Sequence, residues 1–356
     1  MTHLSEEVPV RAGVLDVSKP FDVVVVGGGS AGLAAAAAAK ESGAARVLLL
    51  EREAYLGGVL PQCVHDGFGL YLYGESLTGP EYARRWAVRV QADGVLAALA
   101  TTVLEVRPPV EEGLFCIDAL GAALGGRVRV YARSVVCATG CRERTRGALR
   151  IPGGRPAGVL TAGSAQYMVN VANQLPGDKV VILGSGDIGL IMARRMALEG
   201  AEVRLVLGQE ATGLVRNHIR CIQDFAIPIR YGWGLVSVHG YGQLQGVTVA
   251  PLRADGAFDL AHKEYVRCNV LLVACGLIPE REVLAACGEI SEVPGLFVCG
   301  NANVPHDLVD QVTQEGINAG LASARHAAGT VRASSVGVSG AVVEGLDAAR
   351  ASASCV

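Results

Sequence analysis

No Cys-x-x-Cys occurs anywhere in the chain, although ten of its 356 residues are cysteine. Thioredoxin-type dithiols and most zinc knuckles need that spacing, and Cys137 and Cys141, four apart, suit neither. The other cysteines, at positions 63, 116, 221, 268, 275, 287, 299 and 355, are scattered. An apolar core is also lacking in residues 1–13, where Glu6 and Glu7 fall, so the opening does not read as a secretory signal. The thiols are therefore expected to be reduced, in a cytoplasmic protein, most of them acting as small buried hydrophobes. A membrane span is not expected either. Residues 21–39 are apolar, but Asp22, three consecutive glycines and Ser30 interrupt them. With a formal charge of −3 and no Lys/Arg run, nothing is present to grip a nucleic acid backbone.

What is there is apolar material for two cores: hydrophobic residues make up 51% and charged residues 18%. Two segments share one design. Phe21-Asp22-Val23-Val24-Val25-Val26 runs into Gly27-Gly28-Gly29-Ser30-Ala31-Gly32 and an alanine-rich stretch to Lys40. Asp178-Lys179-Val180-Val181-Ile182-Leu183 runs into Gly184-Ser185-Gly186-Asp187-Ile188-Gly189 and then 190–199. Each reads as a strand buried on both faces, a glycine turn and a helix, with a further strand beyond (46–50 and 202–207). They lie too far apart to be halves of one sheet, and so predict two domains.

A Gly-x-Gly-x-x-Gly motif is weak evidence alone, but here strand, helix and acid all agree. Gly27 allows the tight turn, Gly29 lets a pyrophosphate approach the backbone, and Gly32 lets helix and strand pack closely. The phosphates would sit on the helix N-terminus beside Ser30 and Ala31. Glu51, at the end of the second strand, is placed to accept hydrogen bonds from ribose hydroxyls, with Arg52 next to it. The second fingerprint, Gly184, Gly186, Asp187, Ile188 and Gly189, has a gap. The position matching Glu51 is Gly208, and no arginine sits beside it; the nearest is Arg216. Neither the usual NAD signature nor a 2′-phosphate cradle is legible there. A nicotinamide-binding domain and a vestigial one both stand.

Further stretches narrow the reading: Gln62-Cys63-Val64-His65-Asp66-Gly67-Phe68-Gly69-Leu70, Gly140-Cys141-Arg142-Glu143-Arg144-Thr145-Arg146-Gly147, 184–196, Gly276-Leu277-Ile278-Pro279-Glu280 and His306-Asp307-Leu308-Val309-Asp310. In these the chain resembles the flavoproteins of pyridine nucleotide–disulfide oxidoreductase type, in their short, thioredoxin-reductase-sized form. Within that type it is most similar to the branch linked to glycerol-3-phosphate, opine and cyanide-forming amino-acid oxidation. The resemblance implies an α/β fold of two Rossmann-like dinucleotide-binding domains (three-layer ββα type), the second inserted into the first. It implies FAD in the first domain, held by Gly27, Gly29, Gly32 and Glu51, with Gly58 in the loop beyond. Ala138-Thr139-Gly140 would close over the cofactor, and Gly300-Asn301 would take the place where many relatives carry an aspartate. Gln311-Val312-Thr313 would begin a helix facing the flavin, whose N-terminus stabilises negative charge. NAD(P)H is the implied ligand of the second domain.

The expected boundaries are an N-terminal extension (1–19), an FAD-binding domain in two pieces (20–154 and 285–329), an inserted NAD(P)-binding-like domain (155–284) and a flexible tail (330–356). Pro152, Gly153, Gly154, Pro156 and Gly158 read as the linker. The sequence also departs from relatives: residues 287–293 are short where a strand is usual, and the cysteine-rich iron–sulfur extension of some opine-type relatives is missing. No metal set is expected.

For catalysis the best pair is Cys63 and His65, two apart in a glycine-flanked loop and expected to share one face of an extended segment. Two readings stand. In one, His65 takes a proton while hydride passes to flavin; in the other, Cys63 packs and His65 only hydrogen-bonds. Arg142, Arg144 and Arg146 would bind an anion or be solvated. His306-Asp307 would orient the flavin, act as an acid/base pair, or simply cap the closing helix. The functional expectation is an FAD-dependent oxidoreductase passing hydride between flavin and NAD(P)H or a small polar substrate, without a redox dithiol. The alternative is a non-catalytic or electron-relay flavoprotein subunit of a multi-subunit dehydrogenase. The partners this leaves open are a small-molecule substrate, a second copy in a homodimer and a second dehydrogenase subunit.

Overall fold

A computed structural model describes residues 15–109, 113–208 and 222–329. The expected tail and N-terminal extension to residue 14, together with Arg216, Cys221 and Cys355, lie outside the described residues. Contacts divide the chain into two compact units, one ending at Arg142 and resuming at Pro279, the other Glu143–Ile278.

The first unit starts with β1 (Phe21–Val26), α1 (Ser30–Glu41), β2 (Val47–Leu50), α2 (Gly79–Ala92), β3 (Leu96–Ala98), β4 (Thr101–Arg107), β5 (Phe115–Gly121) and β6 (Gly126–Cys137). The chain leaves on β7 (Cys141–Glu143). It then builds β8 (Val159–Thr161), α3 (Ala162–Asn170), β9 (Lys179–Leu183), α4 (Asp187–Leu198), β10 (Glu202–Gly208), β11 (Ile229–Tyr231), β12 (Trp233–His239), β13 (Gly246–Pro251), β14 (Glu264–Val266) and β15 (Val270–Val273). It returns on β16 (Leu277–Pro279) and finishes with β17 (Leu296–Val298) and α5 (Val309–Ala327).

In the first unit the sheet runs β3-β2-β1-β6-β5-β4, with β17 also paired to β6. β6 is long because it serves two neighbours on one edge. Its second half pairs in parallel with β17, and its first half pairs antiparallel with β5. β1 and β2 are apolar on both faces because helices cover one side and the β4–β5–β6 meander the other. The alanine run of α1 has a steric reason. A Cβ on Gly316 or Gly320 of α5 would fall 2.2 Å from the carbonyl oxygen of Ala31 or Ala35. The two helices touch backbone to backbone, so larger residues would force them apart. β17 is only three residues long, in keeping with the short stretch before it.

The second unit has a parallel sheet, β11-β10-β9-β15-β8, and an antiparallel sheet, β12-β13-β14. The expected boundaries fall later in the sequence than the observed divisions. The proline- and glycine-rich stretch is no linker: the Gly154 N–H donates to Val238 O and the Val238 N–H to Pro152 O, so it lies against β12 inside the second unit. At the return, the Glu280 N–H already bonds Gly140 O of the first unit. Among the described residues no helix is long and apolar enough to cross a membrane.

Candidate functional site

Both fingerprints form the same turn. Gly27 and Gly184 have φ of +103° and +115°, and a Cβ on either would strike the carbonyl oxygen of Ala138 (2.4 Å) or Ala274 (2.2 Å). Each donates its N–H to the end of the next parallel strand, at Leu50 O (2.8 Å) and Leu207 O (2.9 Å). A Cβ on Gly32 would come within 1.8 Å of Gly27 O, and one on Gly189 within 2.1 Å of Gly184 O. Helices α1 and α4 therefore begin tight against their strands. Their N-cap residues are Gly29 and Gly186, and neither offers a side-chain cap. A glycine at each N-cap thus leaves no N-cap side chain over the helix end, and a helix end of that kind suits an anion.

The two turns differ at the acid. Glu51 is 5% exposed, and its carboxylate accepts from the Gly28 N–H (2.6 Å) and the Glu53 N–H (2.8 Å). Two backbone donors fix its direction and leave further lone pairs for a ligand hydroxyl. In the second unit Ser185 stands where Gly28 does, and Gly208 where Glu51 does. A Cβ on Gly208 would fall 2.1 Å from Ser185 Oγ.

Around the first turn, the Gly57 N–H donates to Gly28 O, and a Cβ on Gly58 would lie 3.0 Å from the Gly29 Cα. This loop leaves a backbone-lined approach. Arg52 is exposed and lies 3.6 Å from Glu280. Thr139 donates its hydroxyl to Glu280 O, fixing the Ala138–Gly140 crossing.

At the start of α5, the N–H groups of Val309, Asp310 and Gln311 have no intrahelical acceptor. Val312 and Thr313 lie further in. Thr313 is fully buried, its hydroxyl 2.7 Å from that of Tyr82. The sequence pattern puts all three residues of Gln311-Val312-Thr313 at the helix start; only the Gln311 N–H is at the open end. Asp307 is not the cap: Leu308 is the N-cap residue, without a side-chain bond. His306 instead pairs with Glu315, Nε2 to Oε1 at 2.7 Å, while Glu315 Oε2 accepts the Gly300 N–H (2.8 Å) and Asn301 Oδ1 accepts the His306 N–H (2.9 Å). Asn301 thus ties down its own loop. Asp310 accepts the Tyr71 N–H with one oxygen, and its buried Oδ1 has no partner. Sequence reasoning missed Glu315, Asp310 and Tyr82. The Thr78-x-x-Glu81 capping box that starts α2, and so places Tyr82, was a readable signal.

Cys63 and His65 do not lie in an extended segment. Cys63 ends a single 3₁₀ turn, Leu60–Gln62. Its thiol donates to Val59 O (3.3 Å) and its carbonyl accepts the Gly79 N–H at the start of α2 (2.9 Å). Burial pushes the Cys63 thiol up to about 12, so it stays protonated at neutral pH. His65 has its Nδ1 3.2 Å from Asp66 O and its ring 5.0 Å from that of Phe68. Two of the three arginines are also engaged through their side chains. Arg142 pairs with Glu282 at 2.6 Å, and Arg146 donates to the carbonyls of Ile151, Pro152 and Gly153. Among the described residues the eight cysteines form no disulfide, and no group of three His, Cys, Asp or Glu side chains is placed to hold a metal ion.

A chain that places a glycine turn of this kind at the end of a parallel strand pair in each of two units, one interrupting the other, has the two-unit dinucleotide-binding fold. The family model for pyridine nucleotide-disulphide oxidoreductases matches residues 21–298, and the chain belongs to that family of oxidoreductases. It is 29% identical over 172 residues to the hydrogen cyanide synthase subunit HcnB of Pseudomonas protegens, covering 44% of this chain and 36% of that protein. It is 28% identical over 157 residues to an opine oxidase subunit of Agrobacterium tumefaciens, covering 43% and 30%. The chain thus matches about a third of the length of these curated relatives. In structure it is similar to the thioredoxin reductase of T. acidophilum, with a TM-score of 0.67, 21% identity, and coverage of 86% of this chain and 97% of that one.

Proposed function

We propose that the first unit holds FAD and that the chain is an FAD-dependent oxidoreductase exchanging hydride between flavin and either NAD(P)H or a small polar substrate, without a cysteine pair. The observation that carries this is the first turn. An anion-ready helix end, a backbone approach between Gly29 and Gly58, and a carboxylate oriented by two N–H groups together suit a diphosphate joined to a ribose. Gly27, Gly29, Ser30, Ala31 and Gly32 would surround the pyrophosphate, and Glu51 would accept from the ribose. Arg52, Gly58, Ala138, Thr139, Gly140, Gly300, Asn301 and Gln311 complete the proposed contacts, with Val312 and Thr313 forming the turn behind them. In the second unit Gly184, Gly186, Asp187, Ile188 and Gly189 form the proposed nicotinamide-dinucleotide turn.

Bound flavin would supply hydride acceptance; the chain's own part is to bind, orient and handle protons. Cys63 is a poor nucleophile, since its thiol is desolvated and bonded to Val59 O. His65, half-buried, is the titratable side chain of that loop suited to accept a proton. At the other end, α5 brings three N–H groups that have no intrahelical acceptor, but Asp310 in its first turn partly offsets the positive end of the dipole.

A second reading is favoured by Ser185 and Gly208, which leave the second unit without a ribose acid, and by two relatives that are named as subunits. In it the chain is a flavoprotein subunit whose partner carries out the substrate chemistry. An absorbance spectrum of the purified chain during anaerobic titration separates the readings. Bleaching by NADH, NADPH or a small polar substrate supports the first. A flavin that bleaches only when a second chain is restored supports the second, and a colourless chain that FAD cannot reconstitute overturns both.

A further inference from the structure

The two units form one turn with opposite contents at one place. In the first, the small residue is Gly28 and the strand end carries Glu51; in the second, the larger residue is Ser185 and the strand end carries Gly208. A Cβ on Gly28 would lie 2.9 Å from Glu51 Oε2, and a Cβ on Gly208 would lie 2.1 Å from Ser185 Oγ and 2.5 Å from Ser185 Cβ. Each slot therefore admits one side chain, approached from one strand or the other.

We propose that Ser185 and Gly208 are an interlocked specificity pair that sets the second unit against NADH. The Ser185 side chain fills the volume in which a ribose-binding carboxylate would stand, and Gly208 has no room to supply one. NADH presents free 2′- and 3′-hydroxyls on its adenosine ribose, which position 208, without a side chain, cannot chelate. A glycine at position 208 also removes, at that position, the repulsion that a 2′-phosphate meets from a carboxylate there. The phosphate-facing part of the motif is intact, since Gly184, Gly186 and Gly189 keep the geometry of Gly27, Gly29 and Gly32. The pair thus alters recognition of the ribose and leaves that of the diphosphate. Neither residue shows this alone. The inference rests on reading the second unit as a nicotinamide-dinucleotide unit, and it is independent of which substrate the flavin serves.

The test is equilibrium binding of NADH and of NADPH to the FAD-loaded chain and to the S185G/G208E double variant, which rebuilds the Gly28–Glu51 arrangement. Hydrogen bonds to a charged group predict that the NADPH/NADH ratio of dissociation constants moves toward NADH by about ten- to a hundredfold. G208E alone, in collision with Ser185, should give no such gain and should melt earlier. The wild type should show no preference for NADH. A wild-type chain that binds NADH at least about tenfold tighter than NADPH, or a double variant whose ratio does not move, overturns the proposal. If the double variant does not fold, as judged by its melting curve and flavin absorbance, the wild-type ratio decides. Flavin content, read from the same spectra, tests the FAD reading separately.

Discussion

The two glycine turns of this chain are the same object in backbone and different objects in chemistry. Strand end, N–H to the neighbouring strand and helix start agree to within a few tenths of an ångström in their hydrogen bonds. Yet one holds a buried carboxylate by two amides, and the other has a serine over a glycine. Backbone geometry decides whether phosphates can approach; the side chain at the strand end decides which ribose is welcome. Similarity of fold therefore does not carry a ligand from one unit to the other.

The sharpest way to break the comparison is to spoil each turn alone. Gly32→Ala drives a Cβ into Gly27 O, and Gly189→Ala does the same to Gly184 O. Each should destabilise its own unit by about 1–3 kcal/mol or more, seen in thermal melting. Only G32A should lose FAD. Next comes Glu51→Gln, which keeps size but removes charge. FAD affinity should fall about ten- to a hundredfold by equilibrium dialysis, since hydrogen bonds to a charged acceptor are lost. Unchanged affinity would remove Glu51 from the site.

Smaller effects probe the flanks. His306→Ala removes one partner of Glu315, which also holds the Gly300 N–H. About 0.5–1.5 kcal/mol of stability should be lost, and the bound flavin spectrum should shift. For Cys63 the sign is set by burial. A thiol raised to about 12 yields thiolate only as pH climbs toward that value, so iodoacetamide labelling of Cys63 at pH 8 should be at least about tenfold slower than for an ordinary thiol. Cys63→Ala should leave turnover within about twofold, whereas rapid labelling near neutrality would return Cys63 to the chemistry.

The nested α/β architecture was legible because continuous apolar strands, glycine turns and the acid agree over short stretches. Phe21–Val26 and Lys179–Leu183 fall where the residues predict. The boundaries were less legible, because a proline- and glycine-rich segment looks the same whether it is a linker or, like Pro152–Gly154, an edge paired to Val238. The loop at Cys63 reads as extended in sequence because a single turn of 3₁₀ helix has too few residues to show a period. The His306–Glu315 pair and the Ser185–Gly208 slot join residues distant in sequence, and no local pattern announces them. The exchange of Glu51 for Gly208 was visible as a gap, but its steric partner needed three dimensions.

The central claim is that the first unit, and not the second, clasps a flavin dinucleotide. The most direct test is FAD stoichiometry after reconstitution of the wild type, G32A and G189A, measured by absorbance after dialysis. The account predicts a single FAD per chain in the wild type and in G189A and almost none in G32A. Retention by G32A with loss in G189A, or a wild type that stays colourless, would contradict it.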